Sequence, residues 1–343
     1  MRHLLNTLYV FTEDAYIGLD GENAVIRQNE KELGRIPLHT IEGILCFSYR
    51  GASPSLMGAC AERGIALSFF SPKGRYLAGV HGEDRGNVLL RKTQYACSED
   101  DARSLELARS FIIGKLYNSR WVLERATRDH GMRVDVERLK LASAALGSSI
   151  AEIGRCDSLD SLRGIEGEAA SRYFGVFDEL ILRHKESFTF EARRRRPPTD
   201  PVNAMLSLFY TVLATDCAAA LEGVGLDPYV GFLHADRPGR KSLSLDLMEE
   251  LRAVMVDRFV ISAINNRIID PTCFDYRESG EVRLSDDGRR ALFDSWQERK
   301  RDTIVHPFLK EKIPWGLVPH VQALLLARAL RGDMDGYPPF MWK

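Results

Sequence analysis

The chain has 343 residues, of which 45% are hydrophobic and 28% charged, and its formal net charge is -1. This length favours two domains, and the composition is ordinary for a globular protein, which excludes a mostly disordered chain. The near-neutral charge excludes a protein that is basic throughout. Any nucleic-acid surface must therefore come from local clustering of lysines and arginines.

The start of the chain and its cysteines predict a cytoplasmic protein. The first residues lack a sustained apolar run and soon include acids, unlike a signal peptide. None of the six cysteines forms a CxxC pair, so we expect free thiols rather than a zinc ribbon or a disulfide framework. The apolar stretch Ala204–Leu221 has nearly the length of a membrane span, but Asp216 interrupts it. We predict a buried helix there and no membrane contact.

The N-terminal part carries the signals of short strands. Tyr16–Leu19 and Ala24–Ile26 flank a tight-turn pair, which predicts a hairpin. Ser55–Arg63 is predicted to be a helix that ends at Gly64. Ile65–Phe70 is the strongest strand in this part. Short strands separated by turns predict a small sandwich or folded sheet.

From Asp100 onward the apolar residues follow the 3.6-residue spacing of helices. Helices are predicted over residues 102–128, 135–154, 166–185, 201–223, 243–266 and 316–331. A polar segment near residues 90–100 separates the two parts. The predicted fold class is therefore α+β, with a small β-rich N-terminal domain over residues 1–95 and a larger all-α domain over residues 96–343.

Two short motifs in the helical part contain residues suited to catalysis. Glu166 is flanked by Gly164 and Gly167 in the sequence Gly-Ile-Glu-Gly, where we expect it to open a helix and where its carboxylate could be aimed into a cavity. The alternative is an acid that only interacts favourably with the helix dipole. His234 follows an apolar run and precedes a polar loop, where a neutral imidazole can ligate a metal. A lone histidine in such a place is more often structural.

A third motif places three acids on one predicted helix. Asp246 is separated from Glu249 and Glu250 by three and four residues, so each pair shares a face. Glu249 and Glu250 differ by about 100° around the axis, so they cannot point equally at one ion. Together with Glu166 and His234, these oxygen and imidazole donors suit Mg²⁺ or Mn²⁺.

Four motifs in order resemble the CRISPR-associated adaptation integrase family. The strand segment Ile65–Gly79 and the helical residues Lys115, Asn118 and Arg120 also match it, so the resemblance covers essentially the whole chain. The subtype looks like the one found with minimal type I-C systems. The four motifs are GIEGEAASRYF at Gly164–Phe174, PTDPVNAMLSLFY at Pro198–Tyr210, GLDPYVGFLH at Gly225–His234 and KSLSLDLMEELR at Lys241–Arg252.

The resemblance implies a metal-dependent DNA endonuclease and integrase that inserts new spacers into a CRISPR array for antiviral defence. A 3′-hydroxyl on the spacer would attack a phosphodiester at the edge of a repeat. Glu166, His234 and Glu249 are the implied ligands of Mg²⁺ or Mn²⁺. Asp246 matches a further acidic position of the catalytic site, and Glu250 is expected to be a surface or salt-bridging acid.

The same resemblance implies partners for this chain. Its N-terminal domain would form a homodimer, and a small adaptation subunit would join it in a larger integration complex. The substrates would be double-stranded and branched DNA, held through phosphate contacts that release counterions. For the arginine run at residues 193–196, a solvated loop is the alternative interpretation. The residues expected to bind DNA are Arg193, Arg194, Arg195, Arg196, Arg237, Arg240 and Lys241.

Two other functions fit the same residues. A stand-alone metal-dependent nuclease or phosphatase would cleave DNA without joining ends. A non-catalytic scaffold would bind branched DNA equally well with and without metal, using its acids in salt bridges.

Overall fold

The structure, a computed structural model, describes residues 7–71, 76–80, 88–194 and 197–343. The described residues up to Val80 pack with Asp286–Asp302 as a first unit. The residues from Val88 to Ser285 pack with Thr303–Lys343 as a second unit. The division thus differs from the expected boundary at residue 95, because the segment that begins at Val88 already packs in the second unit.

The described residues of the first unit form two sheets and two α-helices. A four-stranded sheet has the order β1-β5-β6-β7, in which β1, β5 and β6 are parallel and β7 is antiparallel; β2, β3 and β4 form an antiparallel sheet. Helix α1 makes the crossover that the parallel pair β5 and β6 requires. The bounds are β1 Thr7–Val10, β2 Tyr16–Asp20, β3 Asn23–Gln28, β4 Lys31–Pro37, β5 Gly43–Cys46, α1 Pro54–Arg63, β6 Ala66–Phe70, β7 Tyr76–Val80 and α9 Asp286–Arg301.

The predicted hairpin and the predicted first helix are both confirmed. Asp20 pairs with Asn23 across the turn between β2 and β3, and Gly21 has a positive φ of 57° there. Ser53 caps the start of α1 through its side chain, and Gly64 ends the helix in the left-handed conformation. These local signals act within a few residues, so the sequence alone reveals them.

Helix α9 completes the first unit and was not predicted. Its sequence is mostly polar, but Leu292, Phe293 and Trp296 are buried. The Phe293 ring centroid lies 4.7 Å from that of Tyr9 and 5.5 Å from that of Phe47. The apolar face of α9 is therefore recognisable only once Tyr9 and Phe47 are in place.

The second unit is mainly helical, which confirms the predicted α+β class. It also contains two short hairpins, β8–β9 and β10–β11. The predicted helix over 243–266 is divided into α7, a π-helical segment at Arg252–Asp257, and α8. The bounds are α2 Val88–Ser98, α3 Asp101–His130, α4 Val136–Ile153, α5 Leu159–Phe174, α6 Pro201–Gly223, α7 Ser242–Glu249, α8 Arg258–Asn265, β8 Phe274–Tyr276, β9 Val282–Leu284, β10 Thr303–Val305, β11 Lys312–Pro314 and α10 Val318–Arg331.

Helix α6 is the most apolar helix of this unit. Its length and composition alone would allow it to cross a membrane, but 61% of its most apolar window is buried inside the protein. Asp200 caps its start by accepting from the Asn203 N–H. These features are those of a core helix, as the sequence predicted.

Candidate functional site

Glu166 lies in the middle of α5 and not at its start. The helix begins at Leu159, where the Ser158 side chain accepts from the Ser161 N–H, so the prediction that Glu166 opens a helix is wrong. A Cβ added at Gly164 or Gly167 would meet nothing within 4 Å. Residues one and two positions apart do not share a helix face, so this open space lies on other faces of α5. The Glu166 side chain is itself 27% exposed.

Asp246 is fully buried in α7 and holds the loop that precedes this helix. Its Oδ2 accepts from the N–H groups of Phe232 (2.7 Å) and Leu233 (3.0 Å). Its Oδ1 accepts from the His234 N–H (3.0 Å) and lies 2.6 Å from His234 Nδ1. A carboxylate only accepts hydrogen bonds, so the ring proton must be on Nδ1, which leaves Nε2 available to a ligand. Asp246 therefore orients His234, as carboxylates behind metal-binding histidines commonly do.

Two further residues hold the loop that carries His234. A Cβ at Gly231 would come within 2.8 Å of Ser242 Cβ and 2.9 Å of Asp246 Oδ2, so only glycine allows this close approach. Arg163, one turn before Glu166 on α5, donates from Nε (3.2 Å) and Nη2 (2.7 Å) to the Leu233 carbonyl. Arg163 thus joins the helix of Glu166 to the loop of His234. Sequence reasoning missed it, and its position one turn before Glu166 was the only available signal.

Glu249 ends α7 and is buried among positive charges. Its Oε1 accepts from Arg252 Nη1 at 2.8 Å, and its Oε2 lies 2.6 Å from Lys115 Nζ. Burial acts to raise the pKa of this carboxyl, but Arg252, Lys115 and His234 together lower the pKa below its usual value. Glu249 is therefore ionised at neutral pH.

Lys115 on α3 connects the two glutamates of the site. Its ammonium forms ion pairs with Oε1 of Glu166 and with Oε2 of Glu249. Oε2 is buried and, despite this contact, accepts no hydrogen bond of regular geometry. In the described part of the chain, no three His, Cys, Asp or Glu side chains form a group that could hold a metal ion as they stand. The expected ligands Glu166 and Glu249 are brought together, but around the chain's own cation.

Glu250 has a structural position among neutral partners, so the expectation of a surface or salt-bridging acid is wrong. It is fully buried, and its Oε1 accepts from Gln322 Nε2 (2.9 Å) and from the Tyr337 hydroxyl. Its Oε2 accepts from the Phe340 N–H at 2.8 Å. Burial raises the pKa of Glu250 to about 7, although these hydrogen bonds act to lower it. Glu250 anchors the segment after α10 and does not face the other acids of the site.

The π-helical segment begins at Arg252, the residue that donates to Glu249. The Arg252 guanidinium lies 4.2 Å from the centroid of the Tyr210 ring while it donates to Glu249. At the other end of the segment, Asp257 accepts from the hydroxyls of Tyr173 (3.0 Å) and Tyr210. Short π-helical turns often occur at functional sites. Here the turn places Arg252 and Asp257 on the same buried tyrosine.

The arginine run divides into residues with different surroundings. Arg193 donates to Asn203 Oδ1 (2.7 Å) and Ser207 Oγ (3.0 Å), which uses its guanidinium inside the protein and argues against the expected DNA contact. Arg194 is exposed and lies 3.3 Å from Glu191. Arg195 and Arg196 lie outside the described residues.

The basic residues after His234 lie on a polar loop and the start of α7. Arg237 is exposed and Arg240 is half-buried, and neither forms an ion pair among the described residues. Lys241 Nζ lies 3.7 Å from Glu222 Oε1 and 5.6 Å from the centroid of the Tyr229 ring. The two arginines are therefore more available to an anionic ligand than Lys241.

Solved structures share the architecture of this chain. The chain superposes on a casposase bound to integration product with a TM-score of 0.84 and 23% identity, covering 98% of this chain and 94% of the other. A CAS1 protein from Thermotoga maritima gives a TM-score of 0.81 at 20% identity, covering 97% of this chain and 98% of the other. At these identities the likeness concerns the fold, which agrees with the predicted β-rich and helical parts.

Sequence relatives identify the family. A protein of Chlorobaculum tepidum named CRISPR-associated endonuclease Cas1 1 is 47% identical, and one of Rhodospirillum rubrum named CRISPR-associated endonuclease Cas1 2 is 49% identical. Each match covers all of both chains. A family profile described as CRISPR associated protein Cas1 matches residues 8–298. The resemblance seen in the four motifs is thus confirmed, and the chain belongs to the Cas1 family of CRISPR-associated proteins.

Proposed function

We propose that this protein is a metal-dependent DNA endonuclease and integrase that inserts new spacers into a CRISPR array. The observation that carries the proposal is that Glu166 and Glu249 both form ion pairs with Lys115. Arg163 joins the helix of Glu166 to the loop of His234, and Asp246 joins the helix of Glu249 to the same loop. Its relatives are named endonucleases, and a protein of the same fold is a casposase bound to integration product.

The donors around Lys115 fit Mg²⁺ or Mn²⁺. Glu249 Oε2 is a buried carboxylate oxygen without a regular hydrogen bond, and Glu166 presents a second carboxylate to the same place. His234 has its Nε2 available, and Mn²⁺ tolerates such a nitrogen among oxygen ligands. Glu166, His234 and Glu249 would hold the ion. When bound, it would polarise the phosphodiester and stabilise the attacking oxygen.

The other residues of the site would position these three ligands. Asp246 keeps the His234 ring in one tautomer and orientation. Arg252 keeps Glu249 ionised and in place, because its guanidinium is itself held on Tyr210. Arg237 and Arg240 would contact DNA phosphates near the reacting bond, since arginine makes bidentate contacts with phosphate. These contacts would serve double-stranded and branched DNA alike, because phosphates carry no base information.

The proposal includes an assembly of several chains. A spacer has two ends, so two sites in a homodimer suit the reaction, and we propose that the N-terminal unit forms it. A chain of the same fold occurs in a Cas6-RT-Cas1–Cas2 complex, with a TM-score of 0.81 over all of this chain and 36% of that one. We propose a small Cas2-like partner here too, a cytoplasmic location, and a type I-C-like subtype.

A joining assay tests the proposed reaction. Purified protein is incubated with a DNA fragment bearing 3′-hydroxyl ends and with repeat DNA, in Mg²⁺, in Mn²⁺ or with a chelator, and with and without the small partner. We expect cleavage of branched DNA and covalent joining of the fragment to the repeat, both lost with the chelator. Cleavage without joining in the presence of the partner would favour a stand-alone nuclease. Metal-independent binding with neither reaction would favour a scaffold.

A comparison of two neighbouring arginines tests the DNA surface. Arg194→Gln is expected to weaken DNA binding uniformly across sequences and to reduce the dependence of log affinity on log salt by about one. Arg193→Gln is expected to act on thermal stability instead, because its guanidinium joins the arginine run to α6. Binding titrations at several salt concentrations measure the first effect. An unchanged salt dependence in Arg194→Gln would assign this run to a solvated loop.

A further inference from the structure

We propose that Lys115 is an exchangeable counterion, whose ammonium takes the place of the divalent ion between Glu166 and Glu249 until metal binds. The inference rests on the proposed metal site and adds a residue that controls its loading. Lys115 would be a positioning residue that keeps the metal-free site assembled, and it would compete with the incoming ion.

The geometry singles out Lys115 among the positive groups near the site. Its Nζ contacts one oxygen of each glutamate, and its side chain is only 11% exposed. Lys115 donates a hydrogen bond to Glu166 Oε1, but its contact with Glu249 Oε2 lacks regular hydrogen-bond geometry, so the buried oxygen is neutralised by charge without an aligned donor. An ion pair of this kind is easier to exchange than one that also forms well-aligned hydrogen bonds.

Lys115 and Arg252 differ in how easily each side chain can move away from Glu249. Arg252 lies against the Tyr210 ring and donates to Glu249 Oε1, so its position is fixed from two sides. Lys115 has a flexible four-carbon stem that can carry its ammonium away. Glu166, its other partner, has a side chain that is 27% exposed. The withdrawing ammonium therefore has a direction toward solvent.

Charge balance explains why the lysine must leave. Glu166 and Glu249 carry two negative charges, and Lys115 and Arg252 carry two positive charges, so these four side chains sum to zero, while the Asp246 carboxylate is paired with His234. A divalent ion added to this cluster would meet an ammonium at the same oxygens, and like charges repel strongly where burial reduces screening. Removing Lys115 without metal would leave Glu166 facing the buried Glu249, which also costs free energy. Either cation satisfies the glutamates, but both together do not.

Mn²⁺ binding to the full-length chain without DNA tests the inference, measured by calorimetry and by the electron paramagnetic resonance of free Mn²⁺. Lys115→Met removes the competing charge and is expected to tighten Mn²⁺ binding by about tenfold, which corresponds to about 1.4 kcal/mol. Lys115→Arg retains the charge and can hold both carboxylates with a planar fork, so it is expected to weaken Mn²⁺ binding. The matched control is Lys140→Met, because Lys140 forms a more exposed ion pair with Glu124.

Thermal unfolding gives a second readout on the same variants. Metal-free Lys115→Met is expected to unfold at a lower temperature than the wild type and to regain more stability on adding Mn²⁺. Lys140→Met should show the wild-type response to Mn²⁺. Lys115→Arg retains the positive charge, so it keeps the inference testable even if Lys115→Met does not fold.

The outcomes separate this inference from the proposed metal site. Tighter binding in Lys115→Met and weaker binding in Lys115→Arg, with loss of the bound ion in Glu166→Gln, would support exchange. Equal Mn²⁺ affinity in the wild type and both Lys115 variants would overturn the exchange but retain the metal site. Failure of the wild type and Lys115→Met alike to bind one Mn²⁺ per chain would overturn both.

Discussion

Replacing Glu249 by glutamine is expected to reduce metal-dependent DNA cleavage by more than about 100-fold, beyond the loss typical of residues that only orient a ligand. Glu249 has a buried carboxylate that forms ion pairs with both Lys115 and Arg252, and these cations hold its pKa below the usual value. Glutamine preserves the shape but removes the charge that would bind the ion. We expect a similar loss for Glu166→Gln. The measurement is the initial rate of cleavage of branched DNA in Mn²⁺.

The chain provides a control on the same helix as Glu166. Glu168 is exposed and pairs with Arg172, one turn further along α5, so Glu168→Gln is expected to retain wild-type cleavage. Thermal unfolding of each variant separates lost chemistry from lost folding. This matters most for Glu249→Gln, which leaves Arg252 buried with a weaker partner. Wild-type cleavage by a folded Glu166→Gln variant would contradict the assignment of these glutamates.

Replacing Asp246 by asparagine is expected to damage both stability and activity. The two oxygens of Asp246 accept from three backbone N–H groups and face the Nδ1 of His234, and the side chain is fully buried. Asparagine can keep only one of its two terminal atoms as an acceptor, so its NH₂ group would face either the N–H groups of Phe232 and Leu233 or the donors of His234. Leaving buried donors unsatisfied should lower the free energy of unfolding by roughly 3 kcal/mol. Chemical denaturation measures this, and cleavage assays should show a loss of about 10- to 100-fold.

A neighbouring aspartate gives the matched comparison for Asp246. Asp236 lies in the same loop and is exposed, and it accepts from the Gly231 N–H at 3.2 Å. Asp236→Asn is expected to change stability and cleavage only slightly. Excess Mn²⁺ should not restore Asp246→Asn, because the defect is in the orientation of His234. Full recovery at high Mn²⁺ with unchanged stability would instead make Asp246 a direct ligand.

The sequence by itself determined the features that depend on near neighbours in the chain. The hairpin of β2 and β3, the capped helix α1 and the apolar spacing of α3, α4 and α6 all follow from signals within one or two turns. The motifs around Glu166, His234 and Glu249 also lie in short continuous segments. Their resemblance to a known family therefore predicted the α+β class and the family to which the chain belongs.

Only the tertiary structure decided which partners those residues contact. Lys115 joins Glu166 to Glu249, and Arg163 joins α5 to the loop of His234, through contacts between residues far apart in sequence. Helical periodicity places Asp246 near both following glutamates, but it does not show that backbone donors occupy both its oxygens.

The same limit explains the expectations that differ from the structure. Glu250 is buried because Gln322, Tyr337 and the Phe340 N–H approach it from the C-terminal part of the chain. Arg193 lies in a run that suggests phosphate binding, yet α6 supplies partners for its guanidinium. The charge and spacing of a residue are local properties, whereas its burial and its partners depend on segments that meet only when the chain folds.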